Sequence, residues 1–214
     1  MTTSSKPHCQ VRRLESRRTA QLNRFLTLYA RCFNPDERVS PDILRRVIQM
    51  PGRAVYPLHL FAAYDGREMI GGAAATVLPA FRAAFGSYIF VDPKRRGQGL
   101  GAHILRGVLA LERRAPEQPW RLYGEVTESA GTWWEKTLRR EGFRFFSQPW
   151  PIPSYHQPEK LLSARLCYYP LRSRPPFRFS QPAMLACIYT LFYGPDAMHR
   201  YLLPRLGSFV SLTP

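Results

Sequence analysis

Residues 88–101 read YIFVDPKRRGQGLG, and they pass from a run of β-forming residues straight into a glycine-rich turn. The apolar spacing after the turn predicts a helix from about Gly99 to Arg114. The first backbone N–H groups of a helix have no partner within it and carry partial positive charge. Glycine lets the backbone approach an anion closely, and Arg96 adds a full positive charge. The stretch therefore predicts a cradle for a phosphate-like group.

Two other phosphate-binding loops do not fit this sequence. The P-loop requires Gly-Lys followed by Ser or Thr, which the chain does not contain. The dinucleotide fingerprint requires three glycines inside a parallel βαβ unit. Here the preceding strand closes a predicted antiparallel set of three, Leu58–Tyr64, Met69–Leu78 and Phe81–Val91, in which Asp65-Gly66 marks a hairpin turn. This context excludes the dinucleotide reading.

The elements around this centre follow a regular order. Hydrophobic periodicity predicts a strand, two helices, the three strands above, the helix after the turn, a strand, a helix and two last strands. The strands outside the centre are predicted at residues 8–14, 120–126 and 161–169, a further strand is predicted to start with residues 143–146, and a helix is predicted at 132–140. Seven strands with helices between them indicate an α/β (α+β) chain.

The turn and its setting resemble the GCN5-related N-acetyltransferase (GNAT) family. That family's signature, Gln/Arg-x-x-Gly-x-Gly/Ala, is matched by Arg96-Gly97-Gln98-Gly99-Leu100-Gly101. Val91 and Pro93 before the motif, and Gly142-Phe143 after the next helix, match the flanking pattern. The element order is similar from residue 8 to residue 169. The resemblance implies a mixed, mostly antiparallel seven-stranded sheet flanked by helices, followed here by a C-terminal helical extension.

The resemblance also implies a co-substrate, acetyl-CoA or another short acyl-CoA, and no metal. In the family the turn binds the pyrophosphate through backbone N–H groups, and the strand before it separates from the next strand to pair with the pantetheine arm. The pyrophosphate role would fall to Arg96, Gly97, Gln98, Gly99, Leu100, Gly101 and Ala102, and the pantetheine role to Ile89, Phe90 and Val91. Trp134 is a candidate wall for cofactor or substrate. The dispersed histidines and cysteines show no metal-ligand spacing.

A base is needed because only a neutral amine attacks a thioester. Glu125 is the candidate base. Glu125-Val126 ends a predicted strand and resembles the Glu-Val of ribosomal-protein N-terminal acetyltransferases, in which that glutamate acts as the base. The alternative is a solvent-facing glutamate at a strand end. Glu128 is a second candidate.

The acid that would protonate the leaving thiolate is harder to place. The family often has a tyrosine four residues before the closing glycine, and Leu138 occupies that position here. Tyr155 and His156 lie in a predicted loop, Pro149–Pro158, from which they could reach the site. We therefore take Tyr155 as the candidate acid, with an ordinary buried or surface tyrosine as the alternative.

Composition and charge limit the classes of protein to which this chain can belong. The chain has 214 residues, 45% hydrophobic and 21% charged, which fits a globular protein with its own core. The net charge of +16 would attract polyanions, but its arginines are scattered, so a solvated basic surface is preferred to a nucleic-acid footprint. No secretory signal is visible, and the longest apolar run, 183–193, is too short for a membrane span. Dispersed cysteines fit a reducing cytoplasm.

The sequence predicts two parts, a domain over residues 1–170 and a helical appendage over 171–214. The appendage helix Pro182–Tyr193 is apolar nearly all round, so it must be buried. It could pack on the core, form a lid on the site, or make a homodimer contact.

The functional prediction is an acyl-CoA-dependent N-acyltransferase that moves an acetyl group to a primary amine by direct attack. The acceptor would be a small-molecule amine or a protein N-terminus, because the basic surface disfavours a polycation. One alternative is a CoA-binding sensor of the same fold without turnover, which Leu138 in place of a tyrosine favours. Another is a basic nucleic-acid- or ribosome-associated protein.

Overall fold

The structure, a computed structural model, describes residues 9–15, 19–49, 56–157, 159–172 and 181–205. The strands are β1 Cys9–Arg13, β2 Leu58–Asp65, β3 Glu68–Leu78, β4 Ala83–Val91, β5 Arg121–Thr127, β6 Arg144–Pro153 and β7 Leu161–Pro170. The helices are α1 Thr19–Cys32, α2 Pro41–Gln49, α3 Leu100–Arg113, α4 Gly131–Arg140 and α5 Gln181–Tyr193, and helical turns of mixed type follow over 195–205.

The strands form one sheet in the order β1-β2-β3-β4-β5-β7-β6. Only β4 and β5 pair in parallel, and every other neighbouring pair is antiparallel. A parallel pair requires a crossover connection, which α3 supplies. The predicted mixed, mostly antiparallel seven-stranded sheet is therefore confirmed, as is the antiparallel set β2-β3-β4.

Helices cover both faces of the sheet. Successive strand residues point to opposite faces, so in β5 Leu122 packs with α3 and α4 while Tyr123 packs with α5. Helices α1 and α2 cover β2, β3 and the end of β4 on the face shared with α5. Helices α1 and α5 therefore pack on the same face of the sheet, in two separate clusters of buried residues.

Two predicted boundaries are wrong. The third central strand starts at Ala83 instead of Phe81, because Pro79–Phe81 forms a 3₁₀ turn. The predicted loop Pro149–Pro158 begins too early, because β6 continues to Pro153. Proline cannot donate to a ladder and so reads as a strand breaker, but β6 is an edge strand that pairs only with β7.

Helix α5 packs on the sheet of its own chain. Met184, Leu185 and Ile188 are 0% exposed and share a core cluster with residues of β4 to β7. Burial of such side chains removes about 1.5–3 kcal/mol of unfavourable hydration each. Residues 173–180 and 206–214 of the predicted appendage lie outside the described ranges, and the boundary at residue 170 stays a prediction.

Candidate active site

The middle of the sheet opens between β4 and β5. Their parallel pairing joins Ala83–Gly86 to Arg121–Gly124 and goes no further. Beyond it β4 stays paired with β3 as far as Val91, and β5 stays paired with β7 as far as Thr127. The β4 edge at Ile89, Phe90 and Val91 therefore faces the opening without a strand partner among the described residues. An extended ligand could pair with this edge as an added strand does.

The glycine-rich turn closes one end of the opening. Gly97 and Gly99 have φ of 82° and 72°, in the left-handed region that glycine adopts without strain. A Cβ at either position would meet nothing within 4 Å, so the protein leaves open space above the turn. The first hydrogen bond of α3 runs from His103 N to Gly99 O at 3.3 Å. The N–H groups of residues 100–102 thus have no carbonyl within the helix and remain available for an anion.

The two arginines of the turn differ in surroundings. Arg95 pairs with Glu68 at 2.8 Å and with Asp65 at 3.4 Å, so its charge is offset. Arg96 is exposed and forms no salt bridge to any residue in the described ranges. Burial raises the pKa of the nearby Cys32 thiol, and the positive charge of Arg96 lowers it. Arg96 and the exposed Lys94 are thus two cations at the turn that form no salt bridge within the described ranges, and the exposed Gln98 lies beside Arg96.

Trp134 borders the same helix end. A Cβ on Gly101 would lie 3.4 Å from the Trp134 ring, so that ring covers the first turn of α3. Its neighbour Trp133 is 64% exposed and points to solvent. The side chain of Leu100 is buried in the core, so only its backbone is accessible at the turn. The structure thus places Trp134 beside the predicted phosphate cradle.

Glu125 is the first residue of β5 beyond the parallel pairing, and its side chain is partly buried. Trp150 Nε1 donates to its Oε2 at 2.8 Å, and the Tyr193 hydroxyl donates to its Oε1 at 2.6 Å. Burial raises the pKa of Glu125 to about 7, against the two hydrogen bonds, which lower it. Glu125 is therefore an enclosed carboxyl group that titrates near neutrality, which suits a general base, and it is not the solvent-facing glutamate of the alternative reading.

Tyrosines surround Glu125. Tyr155 follows β6, stacks near Tyr193 with ring centroids 5.9 Å apart, and interacts with Tyr88 of β4 through its side chain. Burial raises the pKa of Tyr155 and of Tyr193 well above the usual value for tyrosine, so both hydroxyls stay protonated at neutral pH. Each is thus a hydrogen-bond donor near the candidate base. Tyr123, on the same strand as Glu125, is fully buried in the core.

The connection after α1 fixes Tyr155 in this position. Tyr155 N donates to Asp36 O at 3.0 Å, and Ser154 Oγ donates to the Asp36 carboxylate at 3.0 Å. Lys160 pairs with the same carboxylate at 3.2 Å. The segment between α1 and α2 therefore ties the β6–β7 loop over the opening. His156 is exposed, as is Glu128, so neither candidate lies inside the enclosed cluster.

Sequence reasoning missed two partners of Glu125, Trp150 and Tyr193. Trp150 falls among prolines that predicted a loop, and Tyr193 ends a helix noted only for its apolar character. Leu138, at the family's usual tyrosine position, is buried in the core. The signal that could have pointed to Tyr193 is its place at the polar end of a helix that must pack on the sheet.

The opening between β4 and β5 and the glycine-rich turn define this site, and the cavity found in the structure is not part of it. A pocket of about 320 Å³ lies elsewhere, between β1, α1 and the β2–β3 hairpin. Its walls include Arg12, Arg13 and Arg67. Within the described ranges no cluster of three metal-ligating side chains occurs, and no helix there combines the length and hydropathy of a membrane span.

Comparison with known proteins agrees with this geometry. The acetyltransferase (GNAT) family model matches residues 22–127, from within α1 to the last residue of β5. No curated protein matches the chain.

Solved structures share the fold at low sequence identity. A GNAT-family protein from Bacteroides thetaiotaomicron has a TM-score of 0.66 at 14% identity, covering 86% of this chain and 98% of its own. The ribosomal-protein-S18-alanine N-acetyltransferase of Escherichia coli has a TM-score of 0.57 at 18% identity, covering 80% and 99%. The yncA protein of Salmonella typhimurium, solved with its cofactor acetyl-CoA, has a TM-score of 0.59 at 14% identity, covering 81% and 99%.

Proposed function

The chain carries an acetyltransferase domain of the GNAT family, and we propose that it transfers an acetyl group from acetyl-CoA to a primary amine. One observation carries the proposal: an enclosed carboxyl group, Glu125, lies at the point where β4 and β5 separate, and the opening leads to an anion cradle at the start of α3. A thioester held along β4 would therefore meet a base at one end and a phosphate site at the other.

The residues at the turn fit the cofactor. Free N–H groups at residues 100–102, open space above Gly97 and Gly99, and the charge of Arg96, which forms no salt bridge within the described ranges, suit a pyrophosphate. The free edge at Ile89, Phe90 and Val91 suits the amide groups of a pantetheine arm, and Trp134 suits a wall beside it. When bound there, acetyl-CoA supplies the activated acetyl group, and no metal is required.

Glu125 and Tyr155 divide the proton transfers. Glu125, whose pKa of about 7 leaves it partly ionised at neutral pH and fully ionised above, accepts the proton that the amine must lose as it attacks, directly or through a water molecule. Tyr155, neutral and enclosed, donates a proton to the departing thiolate, and the tyrosinate that remains regains a proton as Glu125 gives up its own, so that both groups return to their starting states. A backbone N–H on the free edge of β4 can donate to the carbonyl oxygen as negative charge develops on it. This direct attack needs no covalent acetyl-enzyme.

The acceptor that we propose is a small-molecule amine or a protein N-terminus. One structure of the same fold belongs to an enzyme named for acetylating an alanine of a ribosomal protein. The net charge of +16 disfavours polycationic acceptors.

The four cysteines are all free thiols, which supports a location in the reducing cytoplasm.

An acceptor screen tests the proposed function. Wild-type protein and acetyl-CoA are combined with a panel of small amines and N-terminal peptides, and released CoA thiol is measured, followed by the mass of each product. Acceptor-dependent thiol release with an acetylated product supports the enzyme. Binding of acetyl-CoA with no release across the panel would instead support the CoA-binding sensor, for which the enclosed Glu125 would have no use.

A further inference from the structure

The end of α5 reaches the candidate base. Tyr193 is the last residue of α5, and its hydroxyl donates to Glu125 Oε1 at 2.6 Å. One turn earlier, the Tyr189 hydroxyl donates to Pro151 O at 2.6 Å, which anchors the helix to β6. With Met184 and Ile188 fully buried beneath it, the helix holds the Tyr193 hydroxyl in a fixed place.

Both hydrogen-bond donors to Glu125 come from late in the chain. Trp150 belongs to β6 and Tyr193 to α5, and each occupies a different carboxylate oxygen. The family match ends at residue 127, two positions after Glu125, so both donors lie beyond it. Glu125 thus lies inside the matched segment, and the two groups that orient its carboxylate come from later in the chain.

We infer that Tyr193 is a positioning residue of the active site, whose hydroxyl fixes the Glu125 carboxylate in place and favours its ionised form, and that α5 is therefore a functional part of the catalytic centre. This inference rests on the proposed function only in calling Glu125 the base. The hydrogen bond itself does not depend on which amine is acetylated.

The hydrogen bond from Tyr193 is the largest of the effects that lower the pKa of Glu125. The titratable groups that face Glu125 are Tyr88 from β4, Tyr155 from the β6–β7 loop, Cys167 from β7, and Tyr189 and Tyr193 from α5. Burial raises the pKa of each, so all are neutral near pH 7. Hydrogen bonds from Tyr193 and Trp150 are what oppose the effect of burial.

The substitution Tyr193→Phe removes the hydroxyl and keeps the ring. Losing a hydrogen bond to a charged group raises the pKa of Glu125 by about one unit. We expect the acid limb of kcat/KM to move to higher pH by that amount, so that activity falls about tenfold below the limb and approaches the wild-type value above it. Acetyl-CoA affinity should stay unchanged.

Tyr189→Phe is the matched control. It removes a buried hydroxyl from the same helix at the same hydrogen-bond length, but from a carbonyl of β6 instead of from Glu125. Thermal melts of both variants measure any loss of stability. A purely structural role for α5 predicts that the two variants behave alike, with lower stability and an unmoved acid limb. That outcome, or an acid limb that moves equally in both, overturns the inference.

A second measurement separates this inference from the proposed function. The Glu125 carboxyl group can be titrated by ¹³C NMR in wild type and in Tyr193→Phe, with Glu125→Gln identifying the signal. A higher pKa in Tyr193→Phe alone supports the inference even if no acceptor is found. Equal pKa values in wild type and Tyr193→Phe overturn it even if the enzyme turns over. Failure of the acceptor screen, by contrast, bears on the proposed function alone.

Discussion

Gly86 and Gly124 form the last pair of the parallel ladder between β4 and β5. Their backbones are close enough that a Cβ on Gly124 would lie 3.5 Å from Gly86 O. Immediately past this pair the strands separate, and Glu125 is the next residue of β5. The position of Glu125, the proposed base, is therefore set by the end of a hydrogen-bonded ladder, which is a feature of the backbone.

Replacing the base tests its role directly. Glu125→Gln keeps the size of the side chain but cannot accept a proton, so kcat should fall about 10²–10⁴-fold, the usual contribution of a general base. The Kd for acetyl-CoA should not change, because the carboxylate lies away from the glycine turn. Steady-state kinetics and calorimetry measure both quantities. Glu128→Gln, at an exposed site three residues on, should be neutral; comparable losses in the two variants would remove Glu125 as the base.

The pH dependence of the wild-type rate reports the same group. The base works only when ionised, so kcat/KM should rise with pH through an apparent pKa near 7 and then level off. An acceptor amine whose own pKa lies below this range stays neutral throughout, so that the limb reports the enzyme. A limb near the ordinary glutamate value of 4.5 would contradict the enclosed environment of Glu125.

The free energy of unfolding should change with pH in the opposite direction to kcat/KM. Because the pKa of Glu125 is raised from 4.5 to about 7, the folded state binds more protons than the unfolded state between these values. The free energy of unfolding therefore falls as pH rises through this window. Gln does not titrate, so the stability of wild type relative to Glu125→Gln should drop by about 2–3 kcal/mol between pH 4.5 and pH 8. Urea unfolding at both pH values measures it, and parallel pH profiles would refute it.

The glycine turn can be blocked with a matched control. Gly99→Glu places a bulky negative charge where the pyrophosphate would lie, so the Kd for acetyl-CoA should rise about 100-fold or more. Gly66→Glu makes the same change in the β2–β3 hairpin, where φ is also positive at 58° and the space is also open. Both variants should lose a similar amount of stability, because each places a non-glycine residue in the left-handed backbone region. Only Gly99→Glu should lose the cofactor; equal affinities in the two would place the phosphate site elsewhere.

The local features of this chain could be predicted from sequence, because each depends on neighbouring residues. The turn at Gly97 and Gly99, the hairpin at Asp65-Gly66 and the apolar stripe of α3 belong to this group. The position of Glu125 near the end of a strand also follows from the local pattern. Whether that strand end was enclosed or solvent-facing depended on elements far along the chain.

Long-range packing and edge strands account for what could not be predicted. Tyr193 meets Glu125 across 68 residues of sequence, and no local pattern encodes that contact. Trp150 lies in a proline-rich segment whose local signal is a loop, although an edge strand accommodates proline. The hydrogen bonds that define the state of the base were for this reason invisible until the fold was known.

Titration of wild-type protein with acetyl-CoA by calorimetry tests the central claim most directly, because every later step requires the cofactor at the turn. Saturable binding at a single site is expected, with a Kd in the range from about 1 μM to 1 mM that is typical of enzyme substrates, and this binding should be lost in Gly99→Glu but not in Gly66→Glu. If wild type does not bind acetyl-CoA at millimolar concentration, the glycine-rich turn is not a cofactor site.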